Sequence, residues 1–118
     1  MSNPQVIRNN GGAITPLPHA IYQSMTNRTE NGVNYTVGEV IAEPGFCGPG
    51  KHDHAEHDEL FYILEGEFEF YLDGQQVLVH AGDLIQIPAG VSHDYANPGK
   101  VTARLFGVFC PQEVDLYK

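Results

Sequence analysis

Residues 67–72, EFEFYL, alternate without a slip. Phe68, Phe70 and Leu72 share one side of an extended chain, and Glu67, Glu69 and Tyr71 share the other. A period of two suits a strand with one face in a core and the other toward water; it cannot make the apolar stripe of a helix. Gly66 interrupts the pattern on one side, and Asp73-Gly74 on the other is a two-residue hairpin signal. The same grammar runs along the chain, in VNYTVGEVIAE (33–43, ending at Pro44-Gly45), QQVLVHAGD (75–83), LIQIPAG (84–90) and VTARLFGVF (101–109). No segment keeps a helical period for three turns, and turn signals recur about every 8–12 residues, the spacing of an antiparallel sandwich or barrel. LFYIL (60–64) is apolar without interruption. It predicts a strand covered on both faces, by a lumen on one side and by a second sheet or a partner subunit on the other.

A chain of 118 residues is one domain. Residues 1–20 carry Pro4, Gly11, Gly12, Pro16 and Pro18 and are expected to form an irregular arm, with a single barrel over 21–118. The net charge is −9, and the six Lys and Arg are scattered at 8, 28, 51, 100, 104 and 118. No basic patch forms from sequence neighbours, so neither nucleic acid nor an anionic membrane surface is an expected partner. No apolar run approaches the ~20 residues of a membrane span, and the first residues lack the apolar core of a secretory signal, so the expected location is the cytoplasm. The two cysteines, Cys47 and Cys110, make no disulfide framework and are expected as free, buried, small apolar groups.

The chemistry is concentrated in KHDHAEHDELFYILEG (51–66), which holds three of the six histidines. His52 and His54 are two apart, so on an extended chain both rings lie on one face, about 7 Å apart at Cα. Glu59 opens the apolar strand on the face of Phe61 and Ile63. Downstream, in GDLIQIPAGVSHDYAN (82–97), His93 follows the Pro88-Ala89-Gly90 turn. Three imidazoles and a carboxylate form a donor set of intermediate hardness, suited to Fe, Mn, Ni, Cu, Co or Zn, and four protein ligands leave an octahedral ion two open positions. Glu56, His57 and Asp58 lie within reach of the same ion.

These residues resemble the two motifs of the cupins. The first reads glycine, five residues, His-x-His, three or four residues, Glu, six residues, Gly; here it is met by His52, His54, Glu59 and Gly66. The second reads Gly, five residues, Pro-x-Gly, two residues, His, three residues, Asn; here it is Gly82, Pro88, Gly90, His93 and Asn97, complete. The first motif's opening glycine falls on Phe46, with Gly45, Gly48 and Gly50 around it. The resemblance covers roughly residues 35 to 110. It implies an antiparallel double-stranded β-helix, a jelly-roll barrel, with one divalent transition metal ion per subunit inside it. Its spacing assigns His52, His54, Glu59 and His93 as the metal ligands and leaves His57 to the pocket or to the support of a ligand.

Phe61, Phe70 and Phe106 are expected beside His57 as pocket walls, and an aromatic wall favours a planar or hydroxylated substrate. His80 is expected at the rim, Glu67 and Glu69 on a solvated face, and Asn97 as a support of the turn after His93. Fold and ligands do not select the reaction. The small single-domain subgroup similar to quercetin dioxygenases implies an oxygenase acting on a small organic molecule, with Glu59 also taking a proton. The alternatives are a non-redox metal enzyme (isomerase, cyclase or decarboxylase) and a non-catalytic small-molecule-binding module. The surplus of apolar positions in LFYIL predicts a homodimer.

Overall fold

The computed structural model describes residues 4–8, 12–26, 32–48, 50 and 57–111. Nine strands follow in chain order among them: β1 (Ile14–Leu17), β2 (Ala20–Thr26), β3 (Thr36–Ala42), β4 (Asp58–Glu65), β5 (Glu67–Leu72), β6 (Gln75–His80), β7 (Leu84–Ile87), β8 (His93–Ala96) and β9 (Ala103–Cys110). They form a six-stranded sheet in the order β1-β2-β3-β9-β4-β7 and a three-stranded sheet in the order β6-β5-β8. Every pairing is antiparallel. The protein is all-β, as the alternation predicts, and no helix among the described residues is long and apolar enough to cross a membrane.

The chain passes from one sheet to the other at tight corners. Between β4 and β5 it turns on Gly66 alone, at φ +71°, where a Cβ would stand 3.0 Å from the Ala103 backbone. The Gly82 N–H donates to the Ile63 carbonyl at 2.8 Å, so the β6–β7 corner is laced to the β4–β5 corner. The β5–β6 hairpin closes on Asp73 and Gly74, both at positive φ, as its sequence signal requires. The β8–β9 corner is pinned by buried Asn97. Its amide donates to the carbonyls of Ala42, at 3.0 Å, and Val101, at 2.9 Å, and its side-chain oxygen accepts the Gly99 N–H at 2.9 Å. Asn97 thus supports its own turn as expected, and also ties that turn to the end of β3.

Between the sheets lies a core of rings. Phe61 meets Phe70, Tyr95 and Phe109 at centroid distances of 5.6–5.9 Å. Tyr95 stacks on Phe70 at 5.3 Å and tilts against Phe46 at 5.7 Å. Phe46, standing at the family's glycine position, is therefore a core residue, and the turn is made one residue earlier by Gly45 at φ +96°. Rings of this size fit because Gly38 and Gly107, cross-strand partners on β3 and β9, carry no side chain. A Cβ at Gly38 would lie 2.5 Å from the Tyr22 ring, and one at Gly107 would lie 2.9 Å from Phe61. Burial pushes the Tyr22 phenol up to about 12, against a smaller opposing pull from its hydrogen bond with Ser24.

Several expectations change. The N-terminal segment is not irregular throughout: Ile14–Leu17 forms β1, paired with β2. Pro16 is tolerated there because β1 is an edge strand, where a missing N–H breaks no second ladder. LFYIL is covered by this chain on one face only. Phe61 and Ile63 point inward, while Tyr62 and Leu64 are exposed. Cys47 and Cys110 are exposed, not buried. His80, expected at the surface or rim, does lie on the surface, 3.5 Å from Glu67.

Asn97→Ala should destabilise the fold by on the order of 2 kcal/mol or more, because three partners in a buried corner lose their mate at once. Guanidinium unfolding of this variant beside Lys100→Ala, an exposed change in the same corner expected within about 0.5 kcal/mol of the parent, checks the claim.

Candidate metal centre

The site is assembled from the two sheets. Glu59 stands on β4, between Phe109 of β9 and Ile87 of β7 in the ladder. His93 stands on β8, opposite Leu72 of β5. The alternation that turns Phe61 and Ile63 inward turns Glu59 inward too, and the alternation of β8 does the same for His93 and Tyr95. The carboxylate and the imidazole meet across the sandwich, with His93 Nε2 2.9 Å from Glu59 Oε2. Glu59 is 4% exposed and His93 1%.

The loop before His93 sets its ring. Its Nδ1–H donates to the Val91 carbonyl at 2.8 Å, which leaves Nε2 as the nitrogen that faces Glu59. A neutral imidazole in that tautomer offers a lone pair to a carboxylate, which is also an acceptor. Two acceptors 2.9 Å apart in a dry interior need a positive charge between them, either a proton or a metal ion. Burial pulls the His93 imidazole down. The Glu59 hydrogen bond, the Val91 carbonyl and the Glu59 and Asp94 charges outweigh it and hold the group above its usual value. An imidazole fixed through its far nitrogen on a carbonyl and a buried carboxylate are both good donors to a divalent transition ion, so these residues fit one.

His57 is buried next to Glu59, with Nε2 3.6 Å from Oε1, and its ring meets Phe109 edge-on at 5.8 Å. Asp58 points the other way. It is exposed, and its Oδ1 accepts the Ala89 N–H at 2.8 Å, tying the start of β4 to the turn that leads to His93. Of the acidic alternatives within reach, Asp58 is therefore structural. Glu56 lies outside the described residues, as do His52 and His54. Among the described residues no three His, Cys, Asp or Glu side chains are arranged to hold an ion by themselves.

Phe61 and Phe70 are 2% and 0% exposed and packed into the ring cluster, where they form a closed layer two residues down β4 from Glu59. Phe106 is not a pocket wall. In β9 the inward places are Ala103, Leu105, Gly107 and Phe109, so strand alternation sets Phe106 on the outer face with Arg104 and Val108. The sequence reading passed over Tyr95 and the Val91 carbonyl; the signal available was the period of two through HDYA, too short to stand out. A concavity of about 390 Å³ is lined by Asp58, Glu59, Leu60, Gln86, Ile87, Pro88, Val108 and Cys110. Leu60, Gln86 and Val108 are neighbours across the ladders on the outer face, so part of this hollow lies on the outside of the sheet, and Glu59 is the site residue that borders it.

The chain resembles known proteins over about half of its length. A stretch of 60 residues, 51% of the chain, is 37% identical to quercetin 2,3-dioxygenase of Bacillus subtilis (strain 168), of which it spans 18%. An uncharacterized protein of Aquifex aeolicus (strain VF5) is 40% identical over 60 residues, which are 51% of the chain and 49% of that protein. The chain thus spans about half or less of the length of these curated relatives. The fold is shared with a solved structure, KdgF from a Halomonas species, at a TM-score of 0.82 and 18% identity, covering 97% of this chain and 99% of that one. Residues 38–109, which include Glu59, His93, the whole three-stranded sheet and most of β3, β4, β7 and β9 of the other, match the family model described as a cupin domain, and this chain belongs to the cupin family.

Proposed function

We propose that this chain is a metal-dependent cupin enzyme that oxygenates a small organic molecule, with His52, His54, Glu59 and His93 holding one divalent transition ion. The observation that carries the reading is the buried contact between Glu59 and His93, two acceptors whose geometry calls for a cation. Bound there, the ion would supply Lewis acidity and, if iron, copper, manganese or nickel, a redox couple for O2. The choice of oxygenation over Lewis-acid chemistry leans on the relative named quercetin 2,3-dioxygenase. The chain's own part is positioning and proton transfer. His93 is held by the Val91 carbonyl, the ring cluster closes the floor of the barrel against water, and Glu59 accepts a proton from a substrate hydroxyl.

We further propose that the protein is a homodimer. Tyr62, Leu64 and Leu84 are exposed on the outer face of the six-stranded sheet, next to half-buried Leu60, Phe106 and Val108, an apolar surface that a second copy would cover.

Protein purified without added metal or a metal-chelating tag should carry one ion per chain by elemental analysis, and oxygen uptake should accompany turnover of an accepted substrate. Zinc alone with no oxygen uptake would refute the oxygenase reading. Chelator-stripped protein should melt lower than loaded protein, since an ion at ~1,000 times its Kd adds about 4 kcal/mol. Equal melting points with loading verified would mean that the cluster binds nothing.

His52→Ala and His93→Ala should each abolish metal binding. Glu59→Gln should keep substantial metal while its turnover falls by on the order of 10²-fold, as for loss of a general base. Metal stoichiometry and rate, measured on the same preparations, check this division. Sedimentation at micromolar concentration should give the mass of two chains; a single-chain mass would remove the dimer.

A further inference from the structure

We infer that His57 is a positioning residue that restricts Glu59 to bonding the ion through one oxygen; this rests on the metal reading above. The two oxygens of Glu59 have different neighbours. Oε2 lies 2.9 Å from His93 Nε2, whereas Oε1 lies 3.6 Å from His57 Nε2. A small rotation of either side chain closes the second separation, and hydrogen bonds at reactive centres are commonly long until the site is filled.

His57 is built to stay where it is. It lies two residues before Glu59 and is only 6% exposed. Its ring abuts Phe109, the cross-strand partner of Glu59, so the residue that flanks the carboxylate in the ladder also backs the imidazole. A ring held in this way presents Nε2–H to Oε1 as a donor. The hydrogen bond makes Oε1 a weaker donor and fixes the tilt of the carboxylate, and both disfavour chelation. Glu59 then supplies one oxygen, and a coordination position that a chelating carboxylate would fill stays open for substrate. The role differs from that of a ligand: His57 acts on the ion only through Glu59.

Cobalt(II) provides a test that needs no substrate, because the paramagnetic ion relaxes water protons in proportion to the waters bound to it: two beside a one-oxygen carboxylate, one beside a chelating carboxylate. Stripped wild type, His57→Phe and His57→Gln are loaded with cobalt alone, with stoichiometry by elemental analysis and folding by near-ultraviolet circular dichroism. Phe fills the same space against Phe109 but cannot donate; the Gln amide reaches to the same point and can. The expected result is one cobalt per chain in all three proteins, about half the cobalt-dependent water-proton relaxation in His57→Phe, and wild-type relaxation in His57→Gln. Unchanged relaxation in folded, loaded His57→Phe would overturn the inference. So would loss of cobalt from both folded variants, which would make His57 a ligand. Wild type that takes up no cobalt would remove the metal reading and this inference with it.

Discussion

A carboxylate and an imidazole 2.9 Å apart, both nearly sealed from water, join the two sheets of this protein. An ionised carboxylate in an apolar interior costs several kcal/mol unless a partner answers it. Here the partner comes from the opposite sheet, on a strand 34 residues further along the chain. The contact can form only if β4 and β8 face each other with the right residues turned inward. Register, the corners and the ring core together meet that requirement.

The corners do the placing. Gly66 lets the chain leave one sheet for the other within a single residue, close against Ala103. Asn97 ties the β8–β9 corner to the end of β3, and Asp58 ties the turn before His93 to the start of β4. The turn before His93 is therefore anchored to the strand of Glu59, and the corner after the His93 strand is anchored to β3. Below them the packed rings of Phe61, Phe70, Tyr95 and Phe109 set a floor that cannot move without opening the core. The paired glycines of β3 and β9 make room for it, since a methyl group at either would collide with a ring.

The strands that the sequence shows best are those with a long alternation or a Gly or Pro stop: β3, β5, β6 and β7 lie within the stretches expected for them, and β9 runs one residue past its own. β1 was hidden by the prolines of the first twenty residues, because an edge strand accepts a proline that a central strand rejects. β8 was hidden by its length, since four residues carry too little periodicity to be seen. Glu59 and His93 were legible from motif spacing. Phe106 was misplaced because nothing in VTARLFGVF says which of its two alternating sets faces inward; pairing of β9 with β3 and β4 settles that.

By itself, the sequence determined the fold class, the family and the residue types at the candidate metal centre, because these follow from periodicity and spacing along the chain. Tertiary structure decided what depends on contacts between distant segments. It set the His93 tautomer through the Val91 carbonyl, turned Asp58 out and His57 in, left one face of LFYIL uncovered, and brought the Glu59 carboxylate against His93. Periodicity assigns a side chain to one of two faces, but only the pairing of sheets says what that face meets.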